Sequence, residues 1–434
     1  LFGLRPFSHR VSGYLIREEN MSNTILVVGG GFSGITAALE AAEVGYEVYI
    51  VEKEAYLGGR VTQLKHYFPK LCPPTCGLEI NFQRIKKNPR VKFFTMSEVL
   101  SVTGEPGNYE AKIKTKPRYV NSNCTSCGKC VEACPVTRES EFDFGLSETK
   151  AIYSPHPMAL PFRHVIDDAV CQGSSCAKCV EACPYDAIDL EEKEKEMTLN
   201  VGSIVWATGW KPYDVTNLTN LGAGEIKNVI NNMQMERLAA PNGPTEGKVL
   251  RPSDNKEPQR IAFVQCAGSR DQNHLNYCSY ICCMASLKQC TYIREQYPDA
   301  EVVIYYIDLR APGRYEKFLQ NIQEDEKVKM VKGKVAKVEE DKASGDVVVT
   351  AEDIIAGLKK EEKFDMVVLA TGMQPAVAGQ ELPVQAEVDQ EGFVIGGEEN
   401  GIFAAGCAKM PLDVVTSAET ATGAALKAIQ KVRR

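Results

Sequence analysis

Short apolar runs bounded by turn residues recur along the chain and set its expected architecture. Residues 25–28 read as a buried parallel strand, residues 35–44 as an Ala-rich segment of helical period, and residues 47–51 as a second strand. Together they make a complete βαβ start. Residues 91–95 read as a strand, and 100–114 as a hairpin around Glu105-Pro106-Gly107-Asn108. A strand at 204–207 follows. Residues 260–265, a helix through the 280s and 302–307 predict a second βαβ unit. Residues 328–339 and 346–350 read as further strands. Residues 364–370 and 402–406 read as strands returning to the first unit, and 415–432 as its closing helix. The stretch 240–259 is rich in Pro, Gly and charge and reads as a linker.

Composition narrows the class. With 434 residues there is room for two or three domains, and 44% hydrophobic with 25% charged residues is ordinary for a soluble globular protein. No run of 18 apolar residues occurs, so no membrane span is expected and any membrane role would run through a partner. The net charge of -7 argues against nucleic acid as a partner. Residues 1–20 precede Met21 and carry Glu18 and Glu19, which suit a transit peptide poorly; they are expected to lie outside the fold. Most of the 16 cysteines fall in tight clusters spaced like metal ligands rather than disulfide partners, which points to a reducing cytoplasm.

The first βαβ start carries Gly29, Gly31 and Gly34 at GxGxxG spacing, and Glu52 closes its second strand. Gly29 permits the tight turn, Gly31 lets a pyrophosphate approach the backbone, and Gly34 lets the helix pack close to the strand. The helix N-terminus faces the phosphates, and Glu52 can accept from a ribose hydroxyl. Leu57-Gly58-Gly59-Arg60, the Ala-Thr-Gly turns at 207–209 and 370–372, and Gly401 to Gly406 resemble flavoproteins with two dinucleotide-binding domains. That resemblance implies FAD. The expected cofactor-binding residues are Gly29, Gly31, Phe32, Ser33, Gly34, Glu52, Lys53, Gly58, Gly59, Arg60, Val99, Ala207, Thr208, Gly209, Gly406, Cys407, Val415 and Thr416.

Composition changes abruptly at Asn123. Cys124, Cys127, Cys130 and Cys134 precede Pro135, and Cys171, Cys176, Cys179 and Cys183 precede Pro184; CGKCVEACP recurs as CAKCVEACP. This duplicated frame is that of a two-cluster bacterial-type ferredoxin, in which the fourth cysteine of each run serves the other cluster. Cys124, Cys127, Cys130 and Cys183 are then one set of ligands, and Cys171, Cys176, Cys179 and Cys134 the other. Zinc also suits four cysteines, but not a duplicated eight-cysteine frame of this kind. The second run is two residues longer between its first two cysteines, which leaves Cys171 the least secure ligand. The insert interrupts the flavin unit, so its clusters should sit near the flavin.

In the second βαβ unit the glycine fingerprint is absent. Gln265-Cys266-Ala267-Gly268-Ser269-Arg270 stands in its place, so no nicotinamide cofactor is expected, and Asp308 reads as a structural acid. Cys266, Cys278, Cys282 and Cys283 lie within 18 positions, and their spacing favours a third cluster over half-buried thiols. Cys290 reads as structural. Cys72 and Cys76 stay open among extra ligands, a redox pair and buried thiols. His9, His66, His156, His164 and His274 form no ligand pattern, and His66, close to the Gly59-Arg60 turn, is the one to watch.

The fold expected is therefore α/β: a thioredoxin-reductase-like flavoprotein with two dinucleotide-binding domains and an inserted α+β two-cluster ferredoxin domain. Its parts are 21–118, 191–256 and 359–434 for the FAD-binding domain and linker, 119–190 for the insert, and 257–358 for the second Rossmann-like domain.

Gly29 to Gly34, the duplicated CxxCxxxCP insert, Gln265 to Asp271, Tyr277 to Met284 with its Cys-Cys-Met run, and Gly401 to Cys407 together resemble the heterodisulfide reductase A-subunit family. The resemblance implies a non-standard 4Fe–4S cluster on Cys266, Cys278, Cys282 and Cys283. The chain's shorter build is similar to the A-subunit of quinone-interacting membrane-bound oxidoreductases of sulfate-reducing bacteria. That likeness implies as partners adenylylsulfate reductase, a second related flavoprotein and a haem-bearing membrane subunit. Electrons would pass between menaquinol and the cytoplasmic acceptor, at the inner-membrane surface. Two routes from one flavin would permit bifurcation or confurcation. The rival expectations are a heterodisulfide-reductase-type subunit of a soluble ferredoxin-linked complex, an NAD(P)H-fed flavoprotein like the small subunit of glutamate synthase, and a redox-silent scaffold.

Overall fold

The structure, a computed structural model, describes residues 22–432; the expected extension at residues 1–20 lies outside them. Two five-stranded parallel sheets organise the chain. In the first, the order is Ile402–Ala404, Ser203–Trp206, β1 (Thr24–Val28), β2 (Glu47–Val51) and β3 (Val91–Phe94). Central β1 is apolar throughout its inner positions because both faces of the sheet are covered. Ile25 and Val27 pack under α1 (Phe32–Glu43) and the closing helix Val414–Val432. Leu26 and Val28 pack on an antiparallel sheet of Ser97–Glu105, Asn108–Thr115 and Lys195–Val201. The two helices meet through alanines, with Ala37, Ala38, Ala41 and Ala42 facing the cluster that holds Ala421, Ala424, Ala425 and Ala428. Small side chains let these backbones approach closely and bring both helix N-termini to the same end of the sheet.

The second sheet runs Val229–Asn231, Met366–Thr371, Arg260–Ala267, Glu301–Tyr306 and Val328–Lys332. The helix Cys282–Gln296 covers one face, and the sheet Val335–Asp341, Asp346–Asp353 and Leu358–Phe364 covers the other. Four expectations change here. The strand expected at 364–370 splits, and its Met366–Thr371 part pairs with Arg260–Ala267 in the second sheet, not in the flavin unit. Residues 229–239, placed with the first unit by sequence, add a strand and a capped helix to the second. The single strand read at 328–339 breaks at Gly333, where a Cβ would stand 1.5 Å from the Glu352 carbonyl oxygen, and the chain crosses there between two sheets. The expected linker 240–259 lacks helix and strand but is packed: Val249 is fully buried and its amide donates to Gln296 Oε1 at 2.9 Å.

A ribbon of Trp210–Pro212 paired with Met373–Pro375 joins the two units just beyond the two Ala-Thr-Gly turns. The cysteine-rich insert closes on itself through a bridge between Val120 and Ile188, and the repeat places short helices Lys129–Ala133 and Lys178–Glu181 in matching positions. Arg118 locks the insert to the flavin unit. It is 6% exposed and donates to the carbonyls of Ala55 (2.7 Å), Arg163 (2.9 Å) and His164 (3.0 Å). Burial, then the nearby Arg163 charge, pushes its pKa down to about 10. Among the described residues, no helix is long and apolar enough to cross a membrane.

Candidate cofactor-binding site

A cavity of about 820 Å³ opens where the flavin unit, the cysteine-rich insert and the second unit meet. The first unit contributes Gly29, Gly31, Phe32 and Ser33 from the β1–α1 turn, Glu52 and Lys53 from the end of β2, and Gly59, Arg60, Val99, Ala207, Thr208, Gly209 and Cys407. Those are thirteen of the eighteen residues named above. The other five stand behind the wall or beside it. Gly34 backs onto Gly29, whose carbonyl oxygen would lie 1.9 Å from an added Cβ. Gly58 and Gly406 shape turns at positive φ, and a Cβ on Gly406 would meet Ser33 Oγ at 2.0 Å. Val415 is 37% exposed. The closing helix starts one residue earlier than expected, at Val414, and the Thr416 amide donates to Asp413 Oδ1 at 2.8 Å, so Val414 and Ser417 face the cavity instead.

This wall fits a dinucleotide. A Cβ on Gly31 would meet only Gly59 Cα at 3.8 Å, so the turn is open to the cavity. Thr208 Oγ1 in this wall and Gln289 Oε1 across the cavity are buried without a partner among the described residues. Such orphaned polar atoms are costly unless a ligand satisfies them. When bound, FAD would supply exchange between two-electron and one-electron carriers.

Glu52 is 8% exposed and accepts the Gly30 amide at 2.5 Å and the Glu54 amide at 2.8 Å. Burial outweighs these bonds and raises its pKa from 4.5 to about 7. A raised carboxyl favours the fold most fully below the ordinary carboxylate range, and that contribution is lost as pH rises through about 7. Ribose hydroxyls donating to the carboxylate favour its ionised form. FAD affinity should therefore increase as pH rises toward 7 and level off above it. Glu52→Gln is expected to weaken FAD by roughly 10- to 100-fold at high pH, about 1.5–3 kcal/mol for a charge-assisted bond, and to flatten that pH dependence. Fluorescence titration of the apoprotein with FAD checks both.

The second unit supplies the opposite wall through Asn232, Met233, Glu236, Ile281, Met284, Lys288 and Gln289. Glu236 is 1% exposed and fully bonded. Its Oε1 takes Lys288 Nζ at 3.0 Å and Gln289 Nε2 at 2.7 Å; its Oε2 takes the Lys65 amide at 3.0 Å and Tyr292 OH at 3.2 Å. Lys288 also donates to the His66 carbonyl at 2.5 Å. The cluster ties the helices Asn232–Ala239 and Cys282–Gln296 to the segment after the Gly59-Arg60 turn. Burial, then Lys65 and Lys288, lowers the pKa of His66. Sequence reasoning missed Glu236 and Lys288, because neither belongs to a motif. A charged residue on the apolar face of each helix was the available signal.

Thiols gather in two groups in the insert. Cys124, Cys127, Cys130 and Cys183 line one small cavity with His164. Burial, then Cys124, pushes the Cys130 thiol up to about 11, with Cys183 adding to the rise. The Cys179 thiol is raised by burial first, then by Cys171 and Cys134. Each fourth cysteine thus stands with the other run's set. His164, set aside as structural on sequence, has Nδ1 3.6 Å from Cys124 Sγ.

Cys266, Cys278, Cys282 and Cys283 form a third group at the start of the helix Cys282–Gln296. Burial above all, then Cys266, Cys283 and Cys278, drives the Cys282 thiol well above its ordinary range. One backbone feature recurs in all three groups. The amide two residues on donates to the sulfur: Ser126 to Cys124 at 3.4 Å, Gly173 to Cys171 at 3.4 Å, and Tyr280 to Cys278 at 3.3 Å. Among the described residues no three His, Cys, Asp or Glu side chains gather tightly enough for a single metal ion. A cube spaces its thiolates more widely than one zinc does. Cys72 lies half-buried and Cys76 exposed at the start of α2 (Pro74–Lys87), and neither lines the cavity. Cys290 is buried farther along the cysteine helix.

Residues 24–85 match the FAD dependent oxidoreductase family, and residues 121–187 match the 4Fe-4S dicluster domain. The chain is 40% identical over 425 residues to an iron-sulfur A-subunit of the CoB–CoM heterodisulfide reductase of Methanopyrus kandleri, covering 95% of this chain and 64% of that protein. It is 37% identical to the A-subunit of the H(2):CoB-CoM heterodisulfide,ferredoxin reductase of Methanothermobacter marburgensis, with the same coverage of 95% and 64%. The chain thus spans 64% of the length of these relatives. Thioredoxin reductase from Lactococcus lactis superposes with a TM-score of 0.51 over 94% of this chain and 99% of that one, at 13% identity. The enzyme from T. acidophilum does so with a TM-score of 0.51 over 95% and 98%, at 14% identity. At such identities the likeness is one of fold.

Proposed function

Over 95% of its length the chain is homologous to the A-subunit of heterodisulfide reductases, and on that premise we propose that it passes electrons between one flavin and three iron–sulfur clusters within a larger complex. It is an oxidoreductase with FAD and 4Fe–4S clusters. One observation carries the branched reading: residues of the flavin unit, the insert and the cysteine helix all wall the same cavity, through Gly31, Phe142 and Met284 respectively. A flavin held there would contact both cluster-bearing units.

Each residue's work follows from its place. The open Gly31 turn admits the pyrophosphate and Glu52 accepts from the ribose. Aromatic and apolar walls, including Tyr56, Phe142 and Trp210, exclude water. In the insert, Cys124, Cys127, Cys130 and Cys183 hold one cluster, and Cys171, Cys176, Cys179 and Cys134 the second. Cys266, Cys278, Cys282 and Cys283 hold the third, a reading supported by the amide-to-sulfur bond that Cys278 shares with the insert. Two exits from one flavin would allow its two electrons to part.

The finer reading follows the resemblance noted in the sequence. Electrons pass between menaquinol and adenylylsulfate reductase, in a cytoplasmic complex that includes a second related flavoprotein and is held to the inner membrane by a haem-bearing subunit. The relatives named above favour a second reading, a heterodisulfide-reductase-type complex linked to ferredoxin. Affinity purification from native cells separates them, since a haem protein in the membrane fraction supports the first and a soluble dehydrogenase or hydrogenase the second. Iron, acid-labile sulfide and flavin on anaerobically purified protein test the cofactor count. About twelve irons per FAD are expected, and about eight would leave only the insert metallated.

A further inference from the structure

We propose that Arg270, anchored by Asp308, sets the reduction potential of the iron–sulfur group on Cys266, Cys278, Cys282 and Cys283 by holding its positive charge against the Cys266 sulfur. The inference rests on that group being a cluster, as proposed above.

The site reuses a dinucleotide cleft. In a nucleotide-binding βαβ unit the glycine turn after the first strand admits the pyrophosphate, and an acid at the end of the second strand takes the ribose. Here the first strand ends at Ala267, and Cys266 and Arg270 both adopt left-handed backbone, with φ of 56° and 57°. The turn is pinned by the Ser269 amide on the Cys266 carbonyl at 3.2 Å and by the Arg270 amide on the Tyr277 carbonyl at 3.1 Å. One guanidinium nitrogen, Nη2, meets Asp308 Oδ2 at 2.9 Å, which holds the guanidinium near enough to Cys266 for its charge to act on that sulfur. The acid that would read a ribose is thereby committed to an arginine.

Asp308 touches the cysteine group a second way, since its carbonyl accepts the Cys283 thiol at 3.5 Å. Asp308 therefore reaches Cys283 directly and Cys266 through Arg270. The Asp271 carboxylate pairs with Lys334 Nζ at 2.8 Å, which leaves Asp308 as the carboxylate paired with Arg270.

The chemistry is one of charge. Reducing a four-thiolate 4Fe–4S group by one electron, taken from the flavin, adds one negative charge; no bond forms or breaks and no proton moves. A fixed cation beside a ligating sulfur favours the reduced form, and an arginine stays charged throughout the working pH range. Arg270 acts through Cys266 and is a positioning residue.

The test is an EPR-monitored redox titration of the anaerobic holoprotein, with iron and sulfide counted on each sample. In Arg270→Gln the third group's reduced-to-oxidised ratio at a fixed potential should fall at least tenfold, which is about 59 mV for a one-electron couple. The signals of the two insert clusters should not move. Arg270→Lys, which keeps the charge, should restore most of the difference. Unchanged potential in Arg270→Gln with about twelve irons retained would overturn the inference. So would equal loss of iron from both variants, because a structural prop rather than a charge would then explain it. Loss of iron from Arg270→Gln alone, with wild-type potential in Arg270→Lys, supports it. A wild-type count of about eight irons is a separate outcome that removes the third cluster itself.

Discussion

Replacing Cys282 by serine is expected to remove about four irons per flavin while leaving FAD bound. Cys282 opens the cysteine helix, is 7% exposed, and as a thiol rests against the Thr371 carbonyl at 3.6 Å. Burial, reinforced by Cys266, Cys283 and Cys278, makes its bare thiolate unfavourable. Four such sulfurs side by side are stable as thiolates only around a compensating metal centre. Serine fills the same space but is a poor ligand for iron, so the fold should persist while the cluster does not. Flavin retention is the internal check, because no residue of this group lies in the β1–α1 turn proposed above to take the nucleotide. Cys290→Ser, two turns along the same helix, should keep about twelve irons. An unchanged count in Cys282→Ser would return the group to ordinary buried thiols. With the cluster gone, electron transfer to an acceptor served by this branch should fall to background, while one served by the insert should keep its rate.

Lys288→Met should be among the most destabilising single changes in the second unit, at about 3–5 kcal/mol. The side chains of Lys288 and Glu236 are 5% and 2% exposed. Methionine matches the lysine stem in volume but leaves the Glu236 carboxylate without the cation that pairs with it at 3.0 Å. The remaining donors, Gln289, Tyr292 and the Lys65 amide, are neutral and cannot replace that charge. Because the pair joins the two Rossmann-like units beside the cavity, the loss should appear as a fall in thermal midpoint of roughly 6–20 °C and as weaker FAD retention. The double variant Lys288→Met with Glu236→Gln should recover most of the stability, since it removes the orphaned charge. A midpoint within about a degree of wild type in Lys288→Met would show that water reaches the carboxylate.

The parts of this protein read from sequence are those whose chemistry lies close along the chain. Gly29, Gly31, Gly34 and Glu52 sit within one βαβ start, where strand, turn and helix follow local rules. The cysteine runs are local too, and the ferredoxin frame implied that the fourth cysteine of each run serves the other set, which is how Cys183 stands with Cys124, Cys127 and Cys130. The alternation of apolar strands and helices was enough for the α/β class and for two sheets.

Pairing over distance was not legible. The Ala-Thr-Gly turns at 207–209 and 370–372 are the same local signal, yet Ser203–Trp206 lies in the first sheet and Met366–Thr371 in the second. A strand buried on both faces is uniformly apolar, so nothing in its own residues names its neighbour. Gly333 looked like an ordinary strand residue because the Glu352 carbonyl that demands a glycine there lies on another strand. Glu236 and Lys288 are 52 positions apart in the numbering and acquire meaning only when two helices bring them to 3.0 Å. The same holds for Asp308, which reads as a leftover acid until folding sets it against Arg270. Sequence alone determined that this chain is built to hold FAD and iron–sulfur clusters, because the recognisable part of each site is a short local motif. Only the tertiary structure decided that all three units share one cavity and which charges stand beside it, because electrostatic and packing energies depend on distances through space that chain order does not encode.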